Sequence, residues 1–543
     1  MQLHEREHIE MILKNFLKNL FKRVFTPPAN DVGCSVDYPM EKVCLFFADY
    51  ERRNEVTEWT YCGMEVWPVI RVHLVDTLEL ERRLPVCKIQ ILRVIYFLFR
   101  ICYSCGKFFH SRRSTGTEIS ALPALSRGEP IEKADIICCS SSSPNPDGSL
   151  PRLGLSLKPF IHAGYSCVLM QCTQPPTKAV QTDGTYRYEA LPMDICRHDP
   201  SEGLPEWYGK YIKLYLDLGY VPPFLLDELA SMKSYADMSC EQFQKWGVKL
   251  VIGTGICHAV NIACKRLGIP AVEIQHGFAG HFHPFYGFWE AIPKGGYQLL
   301  PTVFWKWSDF LCQEMCQACP ALVPYAEFIN GGCWHQLTAY PEPPHSDPDL
   351  YRDFLQERKK WKKVIAVCFG RLFEQQLQTM IRLSQECPHD YLWLIRFHPN
   401  QRDRQEKMDY ITEKLHLDNV ECRFANALSV QEIVKDTDVI LSDHSTTAQE
   451  ASVYGTTTIF MTTTRARFYY KEALEAGVML YCEREENFRD LLEKAFSIPR
   501  EKVADFSRYY FSDRKTALHN LRLFLEKHKI YPSSGNLAHF EDF

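Results

Sequence analysis

The sequence predicts an α/β protein built from two doubly wound parallel sheets. Two observations carry that expectation. From residue 248 onward, short apolar runs alternate with helical patterns, as βαβ units require. The alternation pauses around 335–350, where "HQLTAYPEPPHSDPDLY" is rich in proline and poor in apolar residues, and then restarts. The size agrees, because 543 residues are too many for one hydrophobic core.

The elements follow in order. Residues 1–130 read as a helical N-terminal elaboration. Within it, "MILKNFLKNLFKRVF" (11–25) and "VCKIQILRVIYFLFRICYSC" (86–105) are amphipathic and basic. Each is expected either to pack on its own protein or to lie on an anionic membrane surface. Neither reaches the roughly 18 uninterrupted apolar residues of a spanning helix. "ADIICCSSSS" (134–143) is a strand entering a serine-rich loop, and "YSCVLMQC" (165–172) is a second strand. "VKLVIGTG", "ICHAVNIACKRLG" and "IPAVEIQHG" then make strand, helix and strand, with Gly268 closing the helix.

Beyond the proline-rich stretch, "KKVIAVCFG" (362–370), "YLWLIRFHP" (391–399), "NVECRF" (419–424), "DVILSD" (438–443) and "TTTIFM" (456–461) read as strands. Helical patterns separate them, and a helical tail follows from about 484. The domains expected are 1–130, 131–340 and 350–543. Two such sheets would face one another across a cleft lined by the loops beyond their strands' carboxyl ends.

Composition narrows the classes. A hydrophobic share of 46% with 24% charged residues is that of an ordinary folded soluble protein. A net charge of -5 gives no global electrostatic case for nucleic acid, so none is expected as a partner. The 22 cysteines are scattered, and several fall in apolar runs, which suggests reduced core thiols and a cytoplasmic location. The opening "MQLHEREHIE" carries acids where a secretory signal would be basic, so no such signal is expected.

Chemistry gathers at the predicted strand ends. In "LSDHSTTAQEASVYGTTTIFM" (441–461), Asp443 closes a strand and Ser445, Thr446 and Thr447 open a helix. Thr446 with Gln449, and Thr447 with Glu450, each fit a capping box. One hydroxyl suffices for a cap, so the spares suit either a solvated turn or a phosphate cradle. Glu450, one turn further, could reach a sugar hydroxyl or simply pack. In "LIRFHPN" (394–400), Arg396 and His398 alternate onto one side of a strand that Pro399 ends, with Asn400 behind. "FGRL" (369–372) offers Gly370 and Arg371 at another strand end, as a plain turn or an anion contact.

In the other half, Gln275, His276 and Gly277 end a strand, and His281, His283, Tyr286 and Trp289 follow. Histidines beside aromatic platforms suit a sugar or a general base. Their spacing is not that of a familiar zinc set. Cys312, Cys316 and Cys319 have an iron–sulfur-like spacing, but the same spacing is one face of a helix.

Taken in order, "GTG", "EIQHG", the proline-rich linker, "GR", "RFHPN" and "SDHSTTAQEASVYGTTTIF" resemble the GT-B glycosyltransferases of bacterial surface polysaccharide assembly. Among these are the Kdo- and sialyltransferase-like enzymes of capsule and lipopolysaccharide with "QHG" and "HP" motifs. CDP-glycerol polymerases and UDP-GlcNAc 2-epimerases are also similar. The resemblance covers about 250–465.

It implies a GT-B-like fold with an acceptor domain at 131–340 and a nucleotide-sugar donor domain at 350–543. His398, with Gly370, Arg371, Arg396, Pro399, Asn400 and Asp443, would line the donor site. There Ser445, Thr446 and Thr447 would hold the phosphate and Glu450 the ribose. His276 would be the catalytic base with Glu290 behind it, while Gln275, Gly277, His283 and Tyr286 would meet the acceptor. No metal and no cofactor is expected, since arginine, histidine and helix dipoles can stabilise the departing phosphate.

The resemblance thus implies transfer from a nucleotide-activated sugar, CMP-linked by analogy, to a surface polysaccharide or lipid-linked glycan. The amphipathic segments would hold the protein at the inner face of the cytoplasmic membrane. The acidic motif of the sialyltransferases has no counterpart in a matching loop. The rival readings are an epimerase-like enzyme acting on a UDP-sugar alone, a non-catalytic glycan or nucleotide-sugar binding protein, and an iron–sulfur enzyme.

Overall fold

The computed structural model describes residues 40–79, 131–140, 150–171, 182, 184–190, 196–277, 287–337, 347–399, 401–461 and 465–543. After the helix Met40–Arg53, a short antiparallel hairpin is made of β1 (Thr60–Tyr61) and β2 (Met64–Glu65). Next come β3 (Ile136–Ser140), β4 (Cys167–Gln171), β5 (Arg187–Ala190), β6 (Leu250–Gly253), β7 (Ala271–Ile274), β8 (Val303–Lys306) and β9 (Glu327–Asn330). They form one sheet in the order β5-β4-β3-β6-β7-β8-β9.

The second large sheet holds β10 (Lys363–Cys368), β11 (Tyr391–Arg396), β12 (Val420–Glu421), β13 (Val439–Ser442), β14 (Thr457–Phe460) and β15 (Leu480–Tyr481). Its order is β12-β11-β10-β13-β14-β15. Every pairing in both large sheets is parallel. In each, the chain builds outward to one side of its first strand and then returns to build on the other. The expected pair of doubly wound sheets is therefore what the chain forms.

Two units make up the chain. The smaller, of which 73–79 and 199–225 are described, is helical over Tyr208–Asp217 and rich in tyrosine. Its Tyr211 and Tyr215 rings lie 5.1 Å apart, and the Tyr211 hydroxyl donates to the Pro223 carbonyl at 2.7 Å. The larger unit holds both large sheets and the segment 40–72.

The helix His258–Leu267 ends where Gly268 takes φ +67, a left-handed cap that costs glycine no steric penalty. The tail packs differently from its expected place in the 350–543 domain. Ala517, Leu518, Leu521, Phe524 and Leu525 of the helix Arg514–Lys527 join Val272, Ile274, Val303 and Trp305 in the core of the first sheet. A helix with a buried stripe must cover an apolar face, and the second sheet's faces are already covered by its own helices.

Beyond that helix, Asp135 at the foot of β3 takes hydrogen bonds from the backbone and hydroxyl of Ser533 and pairs with Lys249 at 2.8 Å. Gly164 packs so close to this tail that a β-carbon there would meet the Ser534 carbonyl oxygen at 1.9 Å.

Smaller differences have local causes. The strand expected over 419–424 is only Val420–Glu421, because Glu421 accepts from the Phe424 backbone N–H and starts the helix Arg423–Ala427. The helix expected over 405–417 gives way to a π-turn at Tyr410–Lys414. The amphipathic segments 11–25 and 86–105, and most of the proline-rich linker, lie outside the described residues. Among the described residues, no helix is long and apolar enough to cross a membrane.

Candidate active site at the carboxyl ends of the strands

The second sheet reverses its strand order between β10 and β13, which are neighbours. Open α/β sheets bind ligands at that crevice. Gly370 follows β10 and Asp443 follows β13, so both sit there. The Gly370 N–H donates to the Asp443 carboxylate at 3.1 and 3.2 Å, and the backbone N–H groups of His444 and Ser445 donate to it at 2.6 and 3.1 Å. Asp443 is 7% exposed. Its carboxylate therefore organises two loops, a different task from the donor contact the resemblance implies.

A second tie joins the remaining loop. Gln401 is buried and exchanges hydrogen bonds with Leu372, accepting from its N–H at 3.1 Å and donating to its carbonyl at 3.0 Å. The "FGRL" turn, the "RFHPNQ" segment and the "SDHSTT" turn are thus one hydrogen-bonded cluster. His398, Pro399, Gly370 and Arg371 are exposed on it. Arg371 lies 4.8 Å from the Phe373 ring. Asn400 lies outside the described residues.

Arg396 behaves differently from the sequence expectation. Its Nη1 donates to the carbonyls of Ala425 and Leu428, at the end of the helix Arg423–Ala427. Those carbonyls lack helical partners, and the guanidinium supplies them. The head group so engaged braces β11 against that helix.

The hydroxyl turn also differs in detail. Thr446 adopts helical φ −64 and ψ −10 and makes no side-chain cap, because a capping residue needs extended backbone to reach back. The expected capping boxes are absent. Instead Ser445 Oγ accepts from the Thr447 N–H at 3.3 Å and shares a 3.1 Å hydrogen bond with the Thr447 hydroxyl. Tyr470 donates to the Ser445 carbonyl at 2.7 Å and holds the turn from below. Ser445, Thr446 and Thr447 remain half-exposed. Glu450 is 3% exposed and accepts from the Gln431 amide at 2.8 Å.

In the first sheet the loops after β6 and β7 show a parallel design. Glu273, buried on β7, accepts from the Gly255 and Ile256 N–H groups at 2.6 and 3.0 Å and shapes the "GTG" turn. Gln275 is 5% exposed and donates to the Gly277 carbonyl at 3.0 Å, so it stiffens the "QHG" turn from inside. His276 is exposed on that turn. A β-carbon on Gly277 would lie 3.7 Å from Thr446 Cγ2, which brings the "QHG" turn directly against the hydroxyl turn of the other sheet. His281, His283 and Tyr286 lie outside the described residues.

Glu290 is exposed, and its backbone N–H donates to Glu51 at 2.8 Å. That contact belongs to a cluster sequence reasoning missed. Arg71 and Glu51, both fully buried, pair at 3.0 Å. Glu51 also accepts from the Trp67 indole at 2.8 Å and from the Ala291 N–H at 3.2 Å. The Arg71 guanidinium lies between the Phe47 ring at 4.6 Å and the Trp289 ring at 4.0 Å. The segment 40–72 thereby grips the chain just beyond the "QHG" loop.

Lys306, at the end of β8, was also missed. Burial lowers its pKa to about 8. Cys312 and Cys319 lie on the neighbouring helix segment, and burial pushes each thiol up to about 12, which disfavours the thiolate a cluster needs. Among the described residues, no group of three or more histidine, cysteine or acidic side chains is placed to hold a metal ion.

No protein-family model matches the chain, and a search of curated proteins gives no match. Solved structures do. A putative UDP-N-acetylglucosamine 2-epimerase from Listeria monocytogenes is 12% identical, with 73% of this chain and 97% of that one covered and a TM-score of 0.44. A ugt transferase from Siraitia grosvenorii in complex with UDP is 12% identical, with 73% and 99% covered and a TM-score of 0.44. Arabidopsis thaliana UGT89C1 complexed with UDP is 11% identical, with 73% and 100% covered and a TM-score of 0.49. In class, the chain is an α/β protein with two doubly wound parallel sheets.

Proposed function

We propose that the chain is a GT-B-type glycosyltransferase that moves a sugar from a nucleotide-activated donor to a glycan or lipid-linked acceptor. The observation that carries this reading is the meeting of the motif loops. Three loops of the second sheet form one cluster at its switch point, and the "QHG" turn of the first sheet abuts it. A donor phosphate would lie against the exposed His398 and Arg371 and the half-exposed Ser445 and Thr447 hydroxyls. Glu450, held by Gln431, would receive the ribose. His276 would take the acceptor's proton from the other side of the contact as its oxygen attacks the anomeric carbon and the nucleotide leaves. Charge-assisted hydrogen bonds would supply the leaving-group stabilisation without a metal. The acceptor reading for a surface polysaccharide, and the inner membrane face as its place, belong to the same proposal.

The test is a thermal-shift series with CMP, CDP, UDP, GDP and ADP, since a ligand that binds the native state raises the melting temperature by mass action. One nucleotide should stabilise the protein. His398→Ala should weaken that nucleotide by about 1.5–3 kcal/mol, as loss of a charge-assisted hydrogen bond requires. His276→Ala should leave its binding intact and abolish turnover. No shift with any nucleotide would overturn the donor site. A nucleotide sugar altered in the absence of any acceptor would favour the epimerase reading instead.

A further inference from the structure

A groove with a volume of about 390 Å³ lies between the helix Asp309–Ala318 and the helices Arg465–Tyr469 and Lys471–Glu475. Small-molecule sites typically have about 300–1,000 Å³. None of its lining residues belongs to the motif loops. Its first wall follows from the local sequence. Ser308 accepts from the Leu311 N–H at 3.2 Å and fixes the start of the helix. Leu311, Met315 and Ala318 are then buried, while Phe310, Gln313, Glu314 and Gln317 share the face that lines the groove.

Three rings stack in a row along that wall. Phe506 and Tyr509 lie 5.5 Å apart with their planes at 16°, and Tyr509 and Phe310 lie 5.3 Å apart at 20°. The Ser308 hydroxyl donates to the Tyr509 carbonyl at 2.6 Å and ties the row to the helix start. Phe310 ends the row and is 53% exposed. It is thus a positioned aromatic platform in water, and Phe468 stands on the opposite wall.

The polar lining reaches solvent. Gln313, Gln317 and Lys471 are exposed, and Glu314 and Glu472 are half-exposed. Burial first, and then the charges of Glu314 and Glu472, hold the Tyr509 hydroxyl above the ordinary tyrosine range. Carboxylates from both walls therefore converge near one hydroxyl donor. This mixture selects the ligand. Two carboxylates oppose an anion, and the Lys471 ammonium opposes a cation. Hydroxyl groups donate and accept, so they can meet carboxylates, amides and an ammonium alike. The negative face of an aromatic ring attracts the C–H groups on one side of a pyranose.

We infer that this groove binds a neutral oligosaccharide, with one sugar ring on Phe310 and its hydroxyl groups met by Glu314, Glu472, Gln313 and Gln317. Its use to hold the distal units of the acceptor glycan rests on the transferase reading. The binding itself does not.

The experiment is saturation-transfer NMR and titration on the full chain, with maltotriose, cellotriose and triacetylchitotriose as probes and no nucleotide present. At least one trisaccharide should bind. Phe310→Ala, at a position already half in water, should weaken it about tenfold or more, because the platform is gone. Gln313→Ala should weaken it about two- to tenfold, as loss of one hydrogen bond implies, and tests the groove even if the first variant fails to fold. Absence of binding by all three trisaccharides overturns the inference, and so does binding unchanged in the folded variants. Nucleotide stabilisation without trisaccharide binding would sink this site and leave the donor site standing. Trisaccharide binding without any nucleotide response would do the reverse.

Discussion

The second sheet is covered by helices that lie next to its strands in sequence, whereas the first takes a covering helix from the far end of the chain. At their functional edges the two sheets are alike. Each has a buried carboxylate, Asp443 or Glu273, that accepts backbone N–H groups and sets the turn beyond a neighbouring strand. The difference teaches that local βαβ winding suffices to build the edge chemistry. Long-range packing decides whether the first sheet stands on its own.

Deletion of residues 514–543 should break the comparison most sharply. It removes eight core residues from the first sheet, Ala517 and seven larger side chains that each contribute about 1.5–3 kcal/mol of burial. The sum is on the order of a whole domain's stability. Limited proteolysis should then cut within the first sheet while the second persists. A truncated chain that melts as the full one does would show that the tail is dispensable.

Next in size is the buried pair. Arg71→Ala should cost about 3–5 kcal/mol in chemical denaturation, because it leaves the buried Glu51 carboxylate without its cation. Replacing both partners by apolar residues should cost less than either single change. If the double variant is the worse, the pair's wider hydrogen bonds to Trp67, Glu290 and Ala291 outweigh its charge.

Much of this organisation can be read in the sequence, and the parts that cannot share one cause. Parallel strands put all their carboxyl ends on one edge, so "QHG", "FGR", "HP" and "SDHSTT" can be assigned to that edge from alternation alone. What each side chain meets there depends on which strands become neighbours. Arg396 looks free for an anion until Ala425 and Leu428 are brought beneath it. Asp443 looks like a ligand contact until β10 is laid beside β13 and Gly370 reaches it. The tail's docking leaves no local mark, since an amphipathic helix fits either sheet.

Acid should sharpen the difference between the sheets. Burial alone would raise the pKa of Asp135, but hydrogen bonds from Lys249, Ser533 and Ser166 outweigh it and hold the carboxyl below its ordinary 3.8. Burial likewise would raise the pKa of Glu327, but hydrogen bonds from His528 and Lys527 outweigh it and hold the carboxyl below its ordinary 4.5. Both groups anchor the tail to the first sheet. A folded pKa below the unfolded one gives stability that is present above the unfolded value and is lost as pH falls through the folded one. The tail should therefore loosen below about pH 4, seen as new protease sensitivity after residue 513. Release on going to higher pH instead would contradict the assignment.

The smallest effect concerns Gln449, on the helix Thr447–Val453. It is 0% exposed, and neither its amide nitrogen nor its oxygen has a hydrogen-bond partner. Replacing an unsatisfied buried amide by an apolar group of similar size removes a desolvation cost and loses no bond. Gln449→Leu should therefore leave stability unchanged or raise it by up to about 1 kcal/mol. That would set it apart from its neighbour Glu450, whose carboxylate is held by Gln431. A loss of stability in the unliganded protein would mean that buried water already satisfies the amide. Unchanged stability with weakened nucleotide binding would place Gln449 in the donor site beside the hydroxyl turn.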